Sequence, residues 1–363
     1  MKKIVYCADG TWDGKSSATN VFKLFSGLVV SSQQMPFYDT GVGADGFPLE
    51  KYVEGAFGAG LFQKIKDGYT KISQVYEAGD ELFLFGFSRG AYTARSLAGM
   101  IAICGLPSKN FDDQLVESAF NAYRNRGERA AILATVSAKY SMCAAQITMV
   151  GVWDTVGSLG VPAVFGKVDP VLYGFLDTSL NPVIKNAFQA LAIDERRRAF
   201  PPTLWTSQGA PGQTVQQVWF CGVHSDVGGG YEIGADASAT ALSDITLSWM
   251  MNKAQNLGVE FSPTALTQCR YPVDPTSALD QLHNSWSALW GFPIHRTIPP
   301  ESCLANSVLI RCQHHDGYSP CNLSLQNGIP AATYPLLAVV ADPPAANPVA
   351  NPAGCAPTPP AQT

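Results

Sequence analysis

The stretch Gly86-Phe87-Ser88-Arg89-Gly90 places a serine between glycines at the second position on either side. That spacing suits a sharp strand-to-helix turn, in which the hydroxyl projects above a sheet while the glycines let strand and helix close together. The flanks agree with it. Residues 80–85 form a short apolar run of strand character, and residues 91–104 carry a helical pattern. A serine in such a turn becomes a nucleophile when a base and an orienting acid stand beside it. It could also simply cap the helix that follows.

Five histidines limit the choice of base. His224 follows a strand-like run and lies among small residues, whereas His283, His295, His314 and His315 fall in irregular or polar stretches. Asp154 closes the apolar run 147–153 and is the first candidate for the acid. Asp226, two residues from His224, is its rival, although an aspartate there could equally organise the local turn. The order Ser88, Asp154, His224 is that of the α/β-hydrolases. The tetrahedral oxyanion of an acyl transfer needs N–H donors. The backbone of Arg89 supplies one, and the Asp9-Gly10-Thr11 turn, through Gly10 and Thr11, is the candidate for the second. Asp9, Asp154 and Asp226 all end strands, so a metal-dependent hydrolase is the competing chemistry; the serine reading needs neither metal nor cofactor. Gly228-Gly229-Gly230 could cradle an anion or serve as a flexible loop under His224.

The elements around these residues alternate. Strands are expected at residues 3–8, 35–39, 80–85, 146–153 and 214–221. Helices are expected at 19–28, with Thr19 or Asn20 as cap, and at 60–77, 91–104, 110–140, 185–194 and 241–256. Chemically capable residues recur at the carboxyl ends of the strands, where parallel sheets build their sites. The fold class is therefore α/β: a mostly parallel central sheet flanked by helices, forming one α/β-hydrolase-like domain over residues 1–340. Residues 156–183, rich in Gly, Pro and aromatics, read as a cap or insertion. Residues 260–340 read as loops packed on the core, and 341–363 as a disordered or extended Pro/Ala/Asn-rich tail.

Composition excludes several classes. The chain has 363 residues, a formal charge of −5, 46% apolar and 15% charged residues. That supports a large core and argues against nucleic acid as partner. The run Glu195-Arg196-Arg197-Arg198 reads as a solvated or salt-bridged helix face. Nine scattered cysteines without a CxxC pair read as reduced thiols. The apolar start is too short for a signal peptide and no segment suffices to span a bilayer, so cytoplasmic synthesis is expected, with any export by a signal-independent route.

Taken together, the motifs resemble the catalytic domain of the type VI secretion phospholipase effectors, an α/β-hydrolase family. The resemblance is carried by Asp9-Gly10-Thr11-Trp12, Thr19-Asn20-Val21, residues 38–43, Gly79-Asp80-Glu81, residues 85–95, residues 151–157, residues 192–197 and residues 219–231, in order over roughly residues 1–260. It implies Ser88 as nucleophile with Asp154 and His224 completing a triad. It also implies hydrolysis of phospholipid or other acyl esters through an acyl-enzyme. Its implied partners are the lipid substrate, a transient membrane contact, and an immunity or secretion-apparatus protein. Two alternatives stand beside it: a non-lipid esterase of the same fold, and an interaction module with little catalysis.

Overall fold

The computed structural model describes residues 1–10, 18–41, 54–156, 179–207, 209–231, 241–268, 272–315 and 317–341. Thr11, most of the expected cap at 156–183, and the tail beyond 341 lie outside the described residues.

β1 (Lys3–Ala8) is buried from Ile4 onward because it is covered on both faces. α1 (Asn20–Gly27) follows; its cap is Thr19, whose hydroxyl accepts from Phe22 N at 3.1 Å. Next come β2 (Gln34–Asp39), α2 (Glu54–Val75), β3 (Glu81–Phe87) and α3 (Arg89–Cys104). The small ladder β4 (Leu106–Pro107) with β5 (Met142–Cys143) brackets α4 (Asp113–Arg124) and α5 (Arg129–Lys139). The expected single helix over 110–140 thus breaks at 125–128, where Asn125 closes α4 and Gly127 sits in the turn. β6 (Ile147–Trp153), β7 (Ile184–Ala192), β8 (Thr214–Phe220), α6 (His224–Gly228), α7 (Leu242–Asn256) and α8 (Pro263–Gln268) continue the chain. β9 (Cys303–Ala305), α9 (Asn306–His314), the hairpin β10 (Leu325–Gln326) with β11 (Ile329–Pro330), and β12 (Leu336–Leu337) complete it.

Eight strands form one sheet in the order β12-β9-β8-β7-β6-β3-β1-β2, and each neighbouring pair is parallel. Alternate side chains feed two apolar layers. Ile4, Tyr6, Leu82 and Leu84 join α2, α3 and α4 on one face. Val5, Cys7, Phe83 and Phe85 join α1, α7 and α9 on the other. Coverage of both faces explains why the strands read as unbroken apolar runs.

Three expectations are corrected. Of residues 185–194, the first eight belong to strand β7 (Ile184–Ala192) and not to a helix. Ala187, Ala190 and Leu191 are good helix formers, but the segment is held between β6 and β8, and burial on both faces overrides propensity. The 195–198 basic run accordingly lies on a loop after a strand, not on a helix face, although Arg197 is salt-bridged to Glu195 as expected. Within 260–340, β9 and β12 extend the sheet edge and α9 packs on its face, where only loops were expected.

The connection from β1 leads to β2 on one side, and the next strand, β3, lies on the other. Chain direction across the sheet therefore reverses between β1 and β3. A crevice opens outside the carboxyl ends of strands at such a point. Here it is lined by Asp9, Asp39, Lys64, Arg89, Gly90 and Thr93.

Candidate active site

Ser88 sits between β3 and α3 with φ 58° and ψ −120°. A non-glycine residue at positive φ is strained, and the strain here turns the side chain out of the strand path. Its N–H donates to Trp153 O at 3.0 Å, which ties the turn to the end of β6. Gly90 is required by packing: a Cβ there would lie 2.1 Å from Ala8 O and 2.5 Å from Asp9 O, backbone that cannot step aside. Ser88 does not cap α3 through its side chain, so the competing helix-cap role is not the one seen.

Asp154 closes β6 with φ 40°, and its N–H donates to Ala190 O at 2.8 Å. His224 opens α6 after β8. The two side chains meet: His224 Nδ1 lies 2.5 Å from Asp154 Oδ2, both buried. The His224 ring packs 4.6 Å from the ring of Phe87, the residue preceding Ser88, and 5.0 Å from that of Phe200. The segment Gly228-Gly229-Gly230 packs tightly under this arrangement. A Cβ on Gly228 would fall 1.9 Å from the Phe87 ring, so glycine here serves close approach.

The rival acid is engaged elsewhere. Asp226 Oδ2 accepts from Val223 N at 3.0 Å and from His283 N at 3.1 Å. Its Oδ1 lies 2.6 Å from His283 Nδ1, and Tyr231 stacks on the His283 ring at 3.8 Å. Asp9 accepts from Thr19 Oγ1 and Tyr38 Oη at 2.6 Å each, and from Gly10 N at 2.8 Å. The three strand-end aspartates thus have separate partners. Among the described residues no group of three His, Cys, Asp or Glu stands close enough to hold a metal ion. The Gly10 bond matters for the oxyanion expectation too, since this N–H points at the Asp9 carboxylate. Arg89 opens α3, at the N-terminal end where helix N–H groups lack intrahelical acceptors.

Sequence reasoning missed Arg296. It lies in the stretch read as loop, with no pattern around it. Its guanidinium forks onto Asp154, Nη1 to Oδ1 at 2.6 Å and Nη2 to Oδ2 at 2.8 Å. The fork is itself held by Ala192 O at 2.9 Å and Phe200 O at 2.8 Å. Burial alone would push the Asp154 carboxyl up; the charge of Arg296, the His224 hydrogen bond and the Arg296 bonds outweigh it and hold it well below the usual range. Burial also lowers His224 below its ordinary value, against the opposing pull of Asp154.

Glu195 was the other omission. It accepts His224 N at 3.2 Å, Ser285 Oγ at 3.0 Å and three bonds from Arg197. Burial opposes its ionisation, but the Arg197 bonds and charge prevail and bring its carboxyl to about 2. It thereby anchors the backbone of the histidine loop. Asn20 does the same from the opposite side, donating to Val227 O at 3.0 Å and Ser243 O at 2.8 Å.

An all-parallel α/β sheet with a serine elbow, and an Asp–His pair from the ends of β6 and β8 on either side of β7, defines the class: an α/β protein whose polar site lies at the carboxyl edge of its sheet. The chain belongs to the family of Tle1-like phospholipase effectors of the type VI secretion system, whose catalytic-domain model matches residues 2–253. An uncharacterised protein of Saccharomyces cerevisiae is 29% identical over 235 residues, covering 56% of this chain. The match takes in 33% of that protein, so the chain spans about a third of the curated relative's length. Two solved structures are also similar. One is an uncharacterised protein from Pseudomonas aeruginosa, with 16% identity, TM-score 0.47, and coverage of 74% of this chain and 48% of the other. The second is the Tle1 effector bound to the VgrG spike of the type VI secretion system, with 18% identity, TM-score 0.40, and coverage of 65% and 52%.

Proposed function

We propose that the chain is a serine hydrolase of phospholipid or related carboxylic esters, acting through Ser88, His224 and Asp154. The observation that carries this reading is the 2.5 Å Asp154–His224 pair beside the strained elbow of Ser88. Membership of a phospholipase effector family supports the lipid substrate.

His224 Nε2 takes the proton from Ser88 Oγ as the oxygen attacks the ester carbonyl. Asp154 accepts from Nδ1–H, which fixes the tautomer and balances the imidazolium that forms. The N–H of Arg89 stabilises the oxyanion, and the Asp9-Gly10-Thr11 turn is the source of a second donor through Thr11. The imidazolium then protonates the leaving alcohol. Water, deprotonated by His224, attacks the acyl-enzyme and releases the acid. Arg296 is a positioning residue: it acts on the chemistry only through Asp154, holding that carboxylate ionised and its plane fixed. By the same reading the protein is a secreted effector, with a secretion-apparatus protein as a partner. Among the described residues no helix is long and apolar enough to cross a membrane.

Labelling with a fluorophosphonate probe tests the nucleophile. The parent chain is expected to label, and Ser88→Ala to lose both labelling and hydrolysis of nitrophenyl esters and phospholipid vesicles. Retained activity in Ser88→Ala overturns the assignment. A folded parent that stays silent to the probe and to both substrates points instead to an interaction module.

A further inference from the structure

Residues 281–300 contain no carboxylate, yet include Trp286, Leu289, Trp290, Phe292 and Ile294. Six large apolar side chains are exposed among the described residues, and three of them, Leu289 at 74%, Phe292 at 91% and Ile294 at 46%, fall within six consecutive positions. This concentration is not scatter of the ordinary kind.

The loop has a defined shape. Residues Ala288–Trp290 form a single 3-10 turn. Trp290 N donates to Ser287 O at 3.0 Å, and Trp286 Nε1 donates to Gly291 O at 2.9 Å, so the indole N–H bonds within the loop while the apolar tip faces water. The base is fixed to the site. Ile294 N donates to Arg196 O at 2.9 Å. The Trp290 ring meets Phe200 edge-on at 5.4 Å, and Phe200 meets His224 edge-on at 5.0 Å. Two residues beyond Ile294, Arg296 grips Asp154. The rim is basic: Arg198 is exposed, and the Arg197 guanidinium, paired with Glu195, lies 3.6 Å over Phe200 and 5.2 Å from Trp290.

We propose that residues 286–294 are an interfacial docking loop that inserts Leu289, Phe292 and Ile294 into the headgroup–acyl boundary of a phospholipid bilayer. This rests on the reading of the site as a lipid esterase. A bilayer suits the loop because its tip carries apolar side chains without a single acid, its tryptophans suit the boundary between acyl chains and water, and the exposed Arg198 at its rim offers a cation to lipid phosphates. The loop is also contiguous with His224 through Phe200. A docked surface would therefore lie at the catalytic edge of the sheet, where an ester has the shortest path to Ser88.

The test uses the full chain and vesicles of phosphatidylcholine with phosphatidylglycerol, read by flotation. The parent and Ser88→Ala are expected to bind equally. Leu289→Ser combined with Phe292→Ser is expected to weaken binding by about tenfold or more, from the apolar area withdrawn, while hydrolysis of a water-soluble nitrophenyl ester stays at the parental rate. Phe292→Trp is expected to keep binding. Parental vesicle affinity in the double variant, or a parent that does not bind vesicles at all, overturns the docking loop. Persistence of hydrolysis in Ser88→Ala would instead overturn the catalytic reading, and leaves the vesicle comparison to judge the loop on its own.

Discussion

Two aspartates stood as candidates behind His224, and their partners now separate them. Asp154 faces the Nδ1 of His224, while Asp226 serves a turn and His283. Asp154→Asn is therefore expected to reduce kcat by about 10⁴-fold, the scale seen when a triad acid loses its charge. Asp226→Asn is expected to change kcat far less. Steady-state hydrolysis of a soluble ester by both variants checks this. Arg296 gives a subtler expectation. Its charge competes with the imidazolium for Asp154, so Arg296→Gln leaves more of the carboxylate's field on His224 and raises the histidine pKa. Because the base must be neutral, the acid limb of kcat/KM, expected below the ordinary histidine value of 6.5 in the parent, shifts to higher pH. Arg296→Lys keeps the charge and should leave the limb in place while lowering kcat through the lost fork. Opening this buried pair should also cost about 3–5 kcal/mol of stability, measured by urea unfolding.

The geometry of the candidate site is set by how three strand ends meet two helices. α3 begins so close to β1 that Gly90 leaves no room for a methyl group against Ala8 O. Gly90→Ala should push α3 away, costing about 3 kcal/mol by overpacking and moving Arg89 N–H from the oxyanion. The expected readout is a lowered denaturation midpoint together with a fall in kcat greater than any change in KM. The histidine loop is held from two sides, by Asn20 from α1 and by Glu195 beyond β7. These anchors explain why a five-residue helix can hold His224 in register with β6. Isolated helices that short do not persist without tertiary support.

Over the whole molecule, the buried carboxylates respond to pH in opposite directions. Glu195 is depressed from 4.5 to about 2, so the folded state releases a proton that the unfolded chain retains, and its contribution is lost as pH falls through that window. Asp154, also depressed, acts in the same sense. Asp194 is raised from 3.8 to about 6, chiefly by burial, although Gly222 N and Tyr318 Oη donate to it. Its contribution is present at low pH and lost as pH rises from 3.8 to about 6. Urea midpoints measured across pH should therefore fall less steeply with acid in Glu195→Gln, the remaining fall coming from groups such as Asp154. In Asp194→Asn the decline between pH 3.8 and about 6 should be reduced.

Residue type and spacing alone determined the strand–turn–helix around Ser88, the ends of β1, β6 and β8, and the α/β alternation. Each is a local signal: an apolar run of strand length, a glycine pair, a polar residue where the run stops. The cap on α1 was equally local, because Thr19 satisfies an N–H three residues away. The tertiary structure decided what local signals cannot encode. Residues 184–192 became a strand because neighbours on both sides offered backbone partners, although their alanines and leucine favour helix. That Asp154 and not Asp226 faces His224 follows from the fold bringing the end of β6 to the start of α6 across β7, while Asp226 turns to Val223 N and His283. Arg296 was invisible for the same reason: 142 positions separate it from Asp154, and a guanidinium finds its carboxylate through the fold and not along the chain.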